Sequence, residues 1–250
     1  MSEQDALSKV PEVSFGFWIT KILATTLGET GGDAVSMSMG LGYLVGSAIF
    51  ALIFAATVFV QIKARKFKPV LYWITIIATT TVGTTLADYA TRSLGIGYAG
   101  GSMLLLGLLL ASLFVWYRTM GSISINSVVS AKSEMFYWLT IMFSQTLGTA
   151  LGDWTADDAG LGYLGSAVIF GVLLLALVVA YYWTSISHTL LFWAAFILTR
   201  PLGAVVGDFL DKPLDHGGLA LSRYAASLVL LGCIFIGLWL FPQRAARSGH

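Results

Sequence analysis

The chain has 250 residues, of which 57% are hydrophobic and only 11% are charged, whereas globular proteins carry about 25% charged residues. Its mean hydropathy of +0.81 is too high for a water-soluble domain. Residues 41–60 contain no charge at all, and this is the length that crosses a bilayer. Similar runs recur, so the sequence predicts a polytopic membrane protein whose main partner is the lipid bilayer. It excludes a soluble enzyme, a nucleic-acid binder and a disulfide-stapled secreted domain.

Four segments of the sequence align without gaps. Each runs from a Trp to a Gly ten residues later and then to an Asp five residues further on, and a small residue precedes each Asp. The shared pattern is W-x9-G-x3-[GA]-D, and the Trp residues are 55, 65 and 55 positions apart. This spacing indicates a pair of repeats duplicated as a unit. The four sets are Trp18, Gly28 and Asp33; Trp73, Gly83 and Asp88; Trp138, Gly148 and Asp153; and Trp193, Gly203 and Asp208.

A turn and a second apolar stretch follow each Asp. The first three repeats carry G-x-G-Y at 40–43, 95–98 and 160–163, whereas the fourth has Lys212 to His216 at this place. Each repeat is therefore predicted to be a helical hairpin, and the chain an all-α membrane protein with eight transmembrane helices. The odd helices are predicted near 13–36, 70–92, 135–156 and 190–210, and the even ones near 41–62, 96–117, 161–184 and 220–241. All belong to one membrane domain, 1–250, built of repeats 13–68, 69–132, 133–188 and 189–243.

The distribution of Lys and Arg predicts the orientation in the membrane. Nine lie on the side of the termini and three on the opposite side, which favours an orientation with both termini cytoplasmic. Because each repeat crosses twice, the four repeats are expected to be parallel, with every Asp near the outer end of its helix. The nine are Lys9, Lys63, Arg65, Lys66, Lys68, Arg118, Lys132, Arg244 and Arg247, and the three are Arg92, Lys212 and Arg223.

The odd helices are predicted to lie inside and the even helices outside. The odd helices carry the repeated Asp residues together with Lys21, Glu29 and Arg200, and ionisable groups in a bilayer face protein or water. A Gly at one register of every odd helix, followed four residues later by Gly or Ala, favours close helix packing. These packing positions are Gly28, Gly83, Gly148 and Gly203. The eight Trp are interpreted as interfacial belts and lipid contacts.

The sequence resembles a bacterial membrane-protein family built from a repeat of unknown function, number 347 in its domain series. Residues 136–153, followed by Gly160 to Tyr163, are the most specific match, and Ser122 to Ile125 is similar to the stretch that precedes the third repeat in that family. The resemblance covers nearly the whole chain after residue 13. It implies an inner-membrane protein and specifies no activity.

The four repeated aspartates are candidate ligands for a cation. Parallel repeats bring Asp33, Asp88, Asp153 and Asp208 to one depth, and carboxylate oxygens suit hard divalent ions. Thr hydroxyls are candidates to complete the shell: Thr26, Thr81, Thr84, Thr85, Thr146 and Thr149. Two structural alternatives remain: each Asp caps the helical turn that follows it, or is a solvated loop carboxylate. Asp208 is expected to matter least, because its repeat departs most from the pattern.

Three further charges break the symmetry of the repeats. Glu29 is a candidate cation ligand that shares a helix face with Asp33, while Arg200 and Lys21 are candidate ion-pair or proton-coupling groups. Arg200 is the expected partner of Glu29, because the two differ in depth by about 6 Å at 1.5 Å per residue. Lys21 is eight residues from Glu29, which is too far for direct contact.

The interpretation of function is membrane transport of a small cation, with a divalent metal ion as the leading candidate, along an interior path lined by the aspartates. The alternative is a non-transport membrane scaffold or sensor with structural aspartates. No hydrolase, zinc-protease or phosphate-loop motif is present, so an enzyme is not expected, and no cofactor is identified beyond the candidate metal ion. Asp157, Asp158, Asp211 and Asp215 make the outer turns acidic, as on a solvated face. The sequence leaves a homo-oligomer open.

Overall fold

The computed structural model describes residues 8–64 and 66–246, and within them the chain is almost entirely helical. Arg65 and Arg247, which contribute to the charge bias, lie outside the described residues. A single isolated β-bridge joins Pro11 to Ala245. The eight long helices of the described chain are α1 (Phe15–Asp33), α2 (Gly42–Lys63), α3 (Pro69–Asp88), α4 (Gly97–Met120), α5 (Ala131–Asp153), α6 (Gly162–Trp183), α7 (His188–Asp211) and α8 (Arg223–Leu240).

The starts of the odd helices follow from local sequence. The Ser14 side chain caps α1 by accepting a hydrogen bond from the Phe17 amide. Ser130 and Ser133 form a reciprocal capping box at the start of α5. Pro69 opens α3 at the first helical position, where its missing N–H costs nothing.

The odd helices of the first three repeats end in one conformation. Beyond the Asp, each continues as a five-residue π-helical turn, at Ala34–Ser38, Tyr89–Ser93 and Trp154–Asp158. Both glycines of the G-x-G-Y turn then adopt positive φ, 70° at Gly40 and 75° at Gly42 in the first repeat. Only glycine adopts this conformation without strain, which explains the motif. In the fourth repeat α7 runs on to Asp211, and a 3-10 turn at Leu214–His216 follows.

The four odd helices form a closed ring. Each packs against the odd helices of the preceding and following repeats, and α7 packs against α1 to close the circle. Their aromatic N-terminal ends meet at one end of the ring, and basic side chains join their Asp ends at the other. The even helices surround this ring and are mostly exposed, as the sequence predicts.

The predicted helical hairpin within each repeat is wrong in one respect. The even helix packs along the odd helix of the next repeat: α2 on α3, α4 on α5, α6 on α7, and α8 back on α1. The π-helical turn and the glycine turn carry the chain outward, away from the helix that precedes them. Each repeat is therefore completed by its neighbour, and the first repeat by the last.

The repeated glycines explain how the ring closes. A Cβ atom on Gly28 would collide with Thr80 of the next repeat, and one on Gly83 would lie 3.0 Å from the Gln145 backbone and Cβ. Arg200 packs against Gly148 in the same way, and Thr25 packs against Gly203. In every repeat, the residue seven positions after the Trp thus packs onto the glycine of the preceding repeat. The inner helices approach closely at the predicted positions because no side chain separates them.

An aromatic layer fills the end of the ring nearest the termini. Trp73, Trp138 and Trp193 are buried there, and Trp116 of α4 joins them. The assignment of all eight Trp to lipid contacts and interfacial belts is therefore wrong for these four. Trp183 and Trp239, by contrast, are 77% and 80% exposed. The motif Trp packs inward because it begins the inner face of an odd helix.

Six of the eight helices have the length and apolar composition of a membrane span: 42–63, 69–93, 97–120, 162–183, 188–211 and 223–240. The other two, α1 and α5, are 19 and 23 residues long. Each carries three charged residues, which include Lys21 and Glu29 in α1. The described chain therefore has the helices of a multi-pass membrane protein, and its two most polar helices belong to the inner ring.

Candidate ion-binding site in the inner ring

The four repeated aspartates lie at the same end of the ring and are almost fully buried. The exposed fraction is zero for Asp33 and 2% for Asp88, Asp153 and Asp208. The interpretation as solvated loop carboxylates is therefore wrong. Buried carboxylates require a compensating partner, because transfer of an unpaired charge from water is costly.

The aspartates are not helix caps either. Asp33, Asp88 and Asp153 have right-handed helical backbone angles and make no side-chain capping hydrogen bond to the π-helical turns that follow. Asp208 lies inside α7, one turn before its end. Because the helix continues through each Asp, no unpaired amide is left for the carboxylate to accept from.

Two basic side chains hold the aspartates in two pairs. Lys212 Nζ lies 2.6 Å from Asp33 Oδ2 and 3.0 Å from Asp208 Oδ1. On the opposite side of the ring, Arg92 Nε lies 3.0 Å from Asp88 Oδ1, and its Nη2 lies 3.5 Å from Asp153 Oδ2. Each base thus joins the Asp four residues before it to the Asp of a neighbouring repeat.

The sequence interpretation counted Arg92 and Lys212 only for orientation and missed them as partners of the aspartates. Both stand nineteen residues after their Trp, at equivalent positions of the second and fourth repeats. Met37 and Asp157 take this position in the other two repeats. The i, i+4 spacing from each Asp was the available signal.

The charge of this cluster does not balance. Four aspartates against two bases leave a formal charge of −2 in a region with little access to water, and the neighbouring pair of Asp211 with Arg223 does not change this sum. Burial acts to lower the pKa of Lys212, but the carboxylates of Asp208, Asp33 and Asp211 outweigh it and hold the pKa well above its ordinary range. Lys212, which follows the end of α7, is therefore an ammonium, and the cluster retains capacity for further positive charge.

Glu29 and Arg200 form the predicted pair one turn below the aspartates. Arg200 Nη2 lies 2.8 Å from Glu29 Oε2, and the exposed side-chain fractions are 0% and 3%. Arg200 also donates to Thr84 Oγ1 at 2.6 Å and to Thr149 Oγ1 at 2.5 Å. One guanidinium from α7 therefore contacts α1, α3 and α5, and lies across the middle of the ring.

The threonines divide into two groups. Thr84 and Thr149 accept from Arg200, so they are engaged by a cationic side chain. The other four candidates donate to carbonyls one turn earlier in their own helices: Thr26, Thr81, Thr85 and Thr146. The structure therefore does not bring the six hydroxyls together around one ion.

Lys21 lies closer to the aromatic layer. It is fully buried, its Nζ lies 4.2 Å from the centroid of the Phe196 ring, and its amine has no hydrogen-bond partner within the described residues. It makes no ion pair with Glu29, in agreement with the eight-residue separation. A cation–π contact is its observed compensation.

Three carboxylates come close enough to share one ion. One oxygen from each of Glu29, Asp33 and Asp208 lies within 4.8 Å of the other two. Oxygen ligands lie about 2.0–2.6 Å from Mg²⁺ or Ca²⁺, so oxygens at this separation can bind a single divalent ion between them. The structure thus brings together three of the five predicted ligands, while Asp88 and Asp153 lie at the Arg92 side.

A fifth aspartate has a structural partner of its own. Asp211, which was assigned to a solvated acidic face, is 7% exposed and accepts from Arg223 Nε at 3.0 Å. Arg223 also approaches Asp33 Oδ2 to 3.8 Å. The α7–α8 turn folds over the Lys212 side of the site, which explains why Asp211 is buried.

The fold and the site define a helical repeat protein of membrane type, with four two-helix units around a polar, charged interior. The chain belongs to the family described as Repeat of Unknown Function (DUF347), whose repeat matches residues 16–67, 71–122, 136–187 and 191–245. The resemblance found in the sequence is thereby confirmed. No curated protein and no solved structure matches the chain.

Proposed function

We propose that the protein is an eight-span inner-membrane transporter of a divalent cation, with the buried aspartate ring as its binding region. The observation that carries this proposal is the formal charge of −2, left by four buried aspartates and two basic side chains. One divalent ion neutralises that charge. Carboxylates are the ligands that such ions prefer.

In this proposal α1 and α5 cross the membrane together with the six more apolar helices. Their charged side chains are buried, except for the exposed Lys132 at the start of α5, so the even helices shield the buried ones from lipid. The Lys and Arg bias puts both termini in the cytoplasm and the aspartate ring near the outer surface. All four repeats then have the same orientation in the membrane.

Arg200 favours a carrier over an open channel. Its guanidinium contacts all three other inner helices and lies between the aspartates and the aromatic layer. A fixed positive charge on the path opposes free passage of cations. Transport therefore requires the inner helices to move, so that the site opens to one side at a time.

The same contacts support the second candidate, a non-transport scaffold or sensor. Ion pairs hold every repeated aspartate, and Arg200 joins the four repeats as a structural cross-link. A sensor of this kind binds the cation at the aspartate ring and moves none across the bilayer. Both candidates bind the cation, but only the transporter moves it across the bilayer.

Uptake into proteoliposomes separates them. Purified protein is reconstituted, and entry of Mg²⁺, Ca²⁺, Mn²⁺, Co²⁺ and Zn²⁺ is followed with trapped fluorescent indicators against protein-free vesicles. Saturable uptake of at least one ion, lost when all four aspartates are changed to Asn, supports the transporter. Ion binding without uptake in either direction of the gradient supports the sensor.

A further inference from the structure

Resting on the proposed function, we infer that the cation binds on one half of the ring, between Glu29, Asp33 and Asp208, at the position of the Lys212 ammonium. Lys212 is then a tethered competitor that the cation displaces. The Arg92 half of the ring is structural. Of the four repeated aspartates, only Asp33 and Asp208 then bind the cation, together with Glu29.

The Lys212 ammonium lies between the carboxylates that would bind the cation. Lys212 Nζ lies 2.6 Å from an oxygen of Asp33 and 3.0 Å from one of Asp208, and these two carboxylates converge with that of Glu29. A positive group of the chain itself thus occupies a place between carboxylates that suits an ion. The other Asp33 oxygen, Oδ1, is buried and has no hydrogen-bond partner among the described residues. This oxygen can therefore coordinate a metal ion, which takes more oxygen ligands than an ammonium does.

The two halves of the ring differ in the backbone and the side-chain type that carry the base. Arg92 lies within a π-helical turn that continues α3, and its guanidinium lies 5.9 Å from the centroid of the Tyr98 ring. Lys212 follows the end of α7 with extended backbone angles, φ −71° and ψ 154°. Both bases contact two carboxylates, but the Lys212 ammonium is a point charge on a flexible four-carbon stem, whereas the Arg92 guanidinium is a planar fork.

The Lys212 and Arg92 halves of the ring also differ in their acidic side chains. Glu29 supplies a third carboxylate on the Lys212 side, whereas the equivalent positions of the second and third repeats are Thr84 and Thr149, both engaged by Arg200. Solvent reaches both halves of the ring, because the Lys212 side chain is 12% exposed and the Arg92 side chain is 30% exposed. Asp208, expected from sequence to matter least, becomes one of the main ligands.

Mn²⁺ binding to purified full-length protein, measured by calorimetry, tests the assignment with matched variants. D33N and D208N should weaken binding by at least about tenfold, whereas D88N and D153N should change it by less than about threefold. K212Q should bind Mn²⁺ at least about tenfold more tightly, because a tethered competitor acts at a high effective concentration. R92Q, the matched control, should not tighten binding.

A readout on the unmodified protein covers the case in which a variant fails to fold. The rate at which an amine-acylating reagent modifies Lys212 is followed by peptide mass spectrometry, with exposed Lys132 as the internal reference. Mn²⁺ should accelerate modification of Lys212 by releasing its ammonium from Asp33 and Asp208. Modification of Lys132 should not change.

Four results would overturn the inference. Loss of binding confined to D88N and D153N places the ion on the Arg92 side, and equal loss in all four variants removes the distinction between the halves. In both cases the proposed transport function stands. Slower or unchanged modification of Lys212 in saturating Mn²⁺ contradicts displacement. If no ion of the panel binds either the wild type or K212Q, the inference and the proposed function fail together.

Discussion

Arg200 of α7 and Glu29 of α1 form a buried ion pair at 2.8 Å, where the last repeat meets the first. The pair therefore closes the ring as well as compensating two charges. Because Arg200 also reaches Thr84 and Thr149, it connects all four repeats. Among the described residues, no other side chain makes hydrogen bonds or ion pairs that connect all four repeats.

Breaking the Glu29–Arg200 pair should be strongly destabilising. R200Q leaves the Glu29 carboxylate buried without its partner, and such losses cost about 3–5 kcal/mol. The E29Q/R200Q double variant should lose clearly less than the two single variants combined. Unfolding in mixed micelles measures the three free energies, and additive losses would contradict coupling of the pair.

The glycine contacts predict a position-specific effect of one added methyl group. G148A places a Cβ atom 2.5 Å from the Arg200 Cβ and 3.0 Å from the Pro201 Cδ, so the α5–α7 contact must open. The expected cost is about 1–3 kcal/mol. G107A in α4 is the matched control, because a Cβ atom there has no neighbour within 4 Å. Equal melting temperatures for the two variants would exclude a close crossing at Gly148.

The proposed orientation predicts which loops are accessible from outside. Cys233 is exposed on α8, so it is first replaced by Ser. A cysteine at Met39, in the turn after the aspartate ring, should react with a membrane-impermeant maleimide on intact cells. One at Lys66 should react only after the cells are opened. The reverse pattern would show that the topology is inverted.

Residues 8–14, the segment before α1, should fasten the aromatic end of the ring; this segment is called the strap. Lys9 Nζ lies 2.6 Å from Glu134 Oε1 and donates to the Ile62 carbonyl at 2.9 Å. The Glu12 amide bonds to the Arg244 carbonyl at 2.8 Å. E134Q should weaken this attachment by about 1–3 kcal/mol, the cost of disrupting a buried charged hydrogen bond.

Hydrogen exchange checks the strap directly. Amides of the strap should exchange faster in E134Q, while those in the middle of α3 should be unchanged. S133A, next to Glu134 in the capping box of α5, serves as the control for damage to the helix start. Faster exchange in S133A and not in E134Q would assign the effect to the cap.

Much of the architecture could be predicted because the repeats share one register. The four-residue step between small residues predicted the close crossings, and the depth difference between Glu29 and Arg200 predicted their contact. The packing of α2 on α3 could not be predicted, because a helix that is apolar all round carries no directional pattern. The bridging roles of Arg92 and Lys212 depend on which repeats are neighbours in the ring, and one linear sequence does not specify that order.

Native mass spectrometry of the purified protein in Mn²⁺ shows whether the aspartate ring takes up one divalent cation. We expect one ion per chain, and none when Asp33, Asp88, Asp153 and Asp208 are all replaced by Asn. A wild-type protein that carries no ion at saturating Mn²⁺, or a fourfold variant that still carries one, would contradict it.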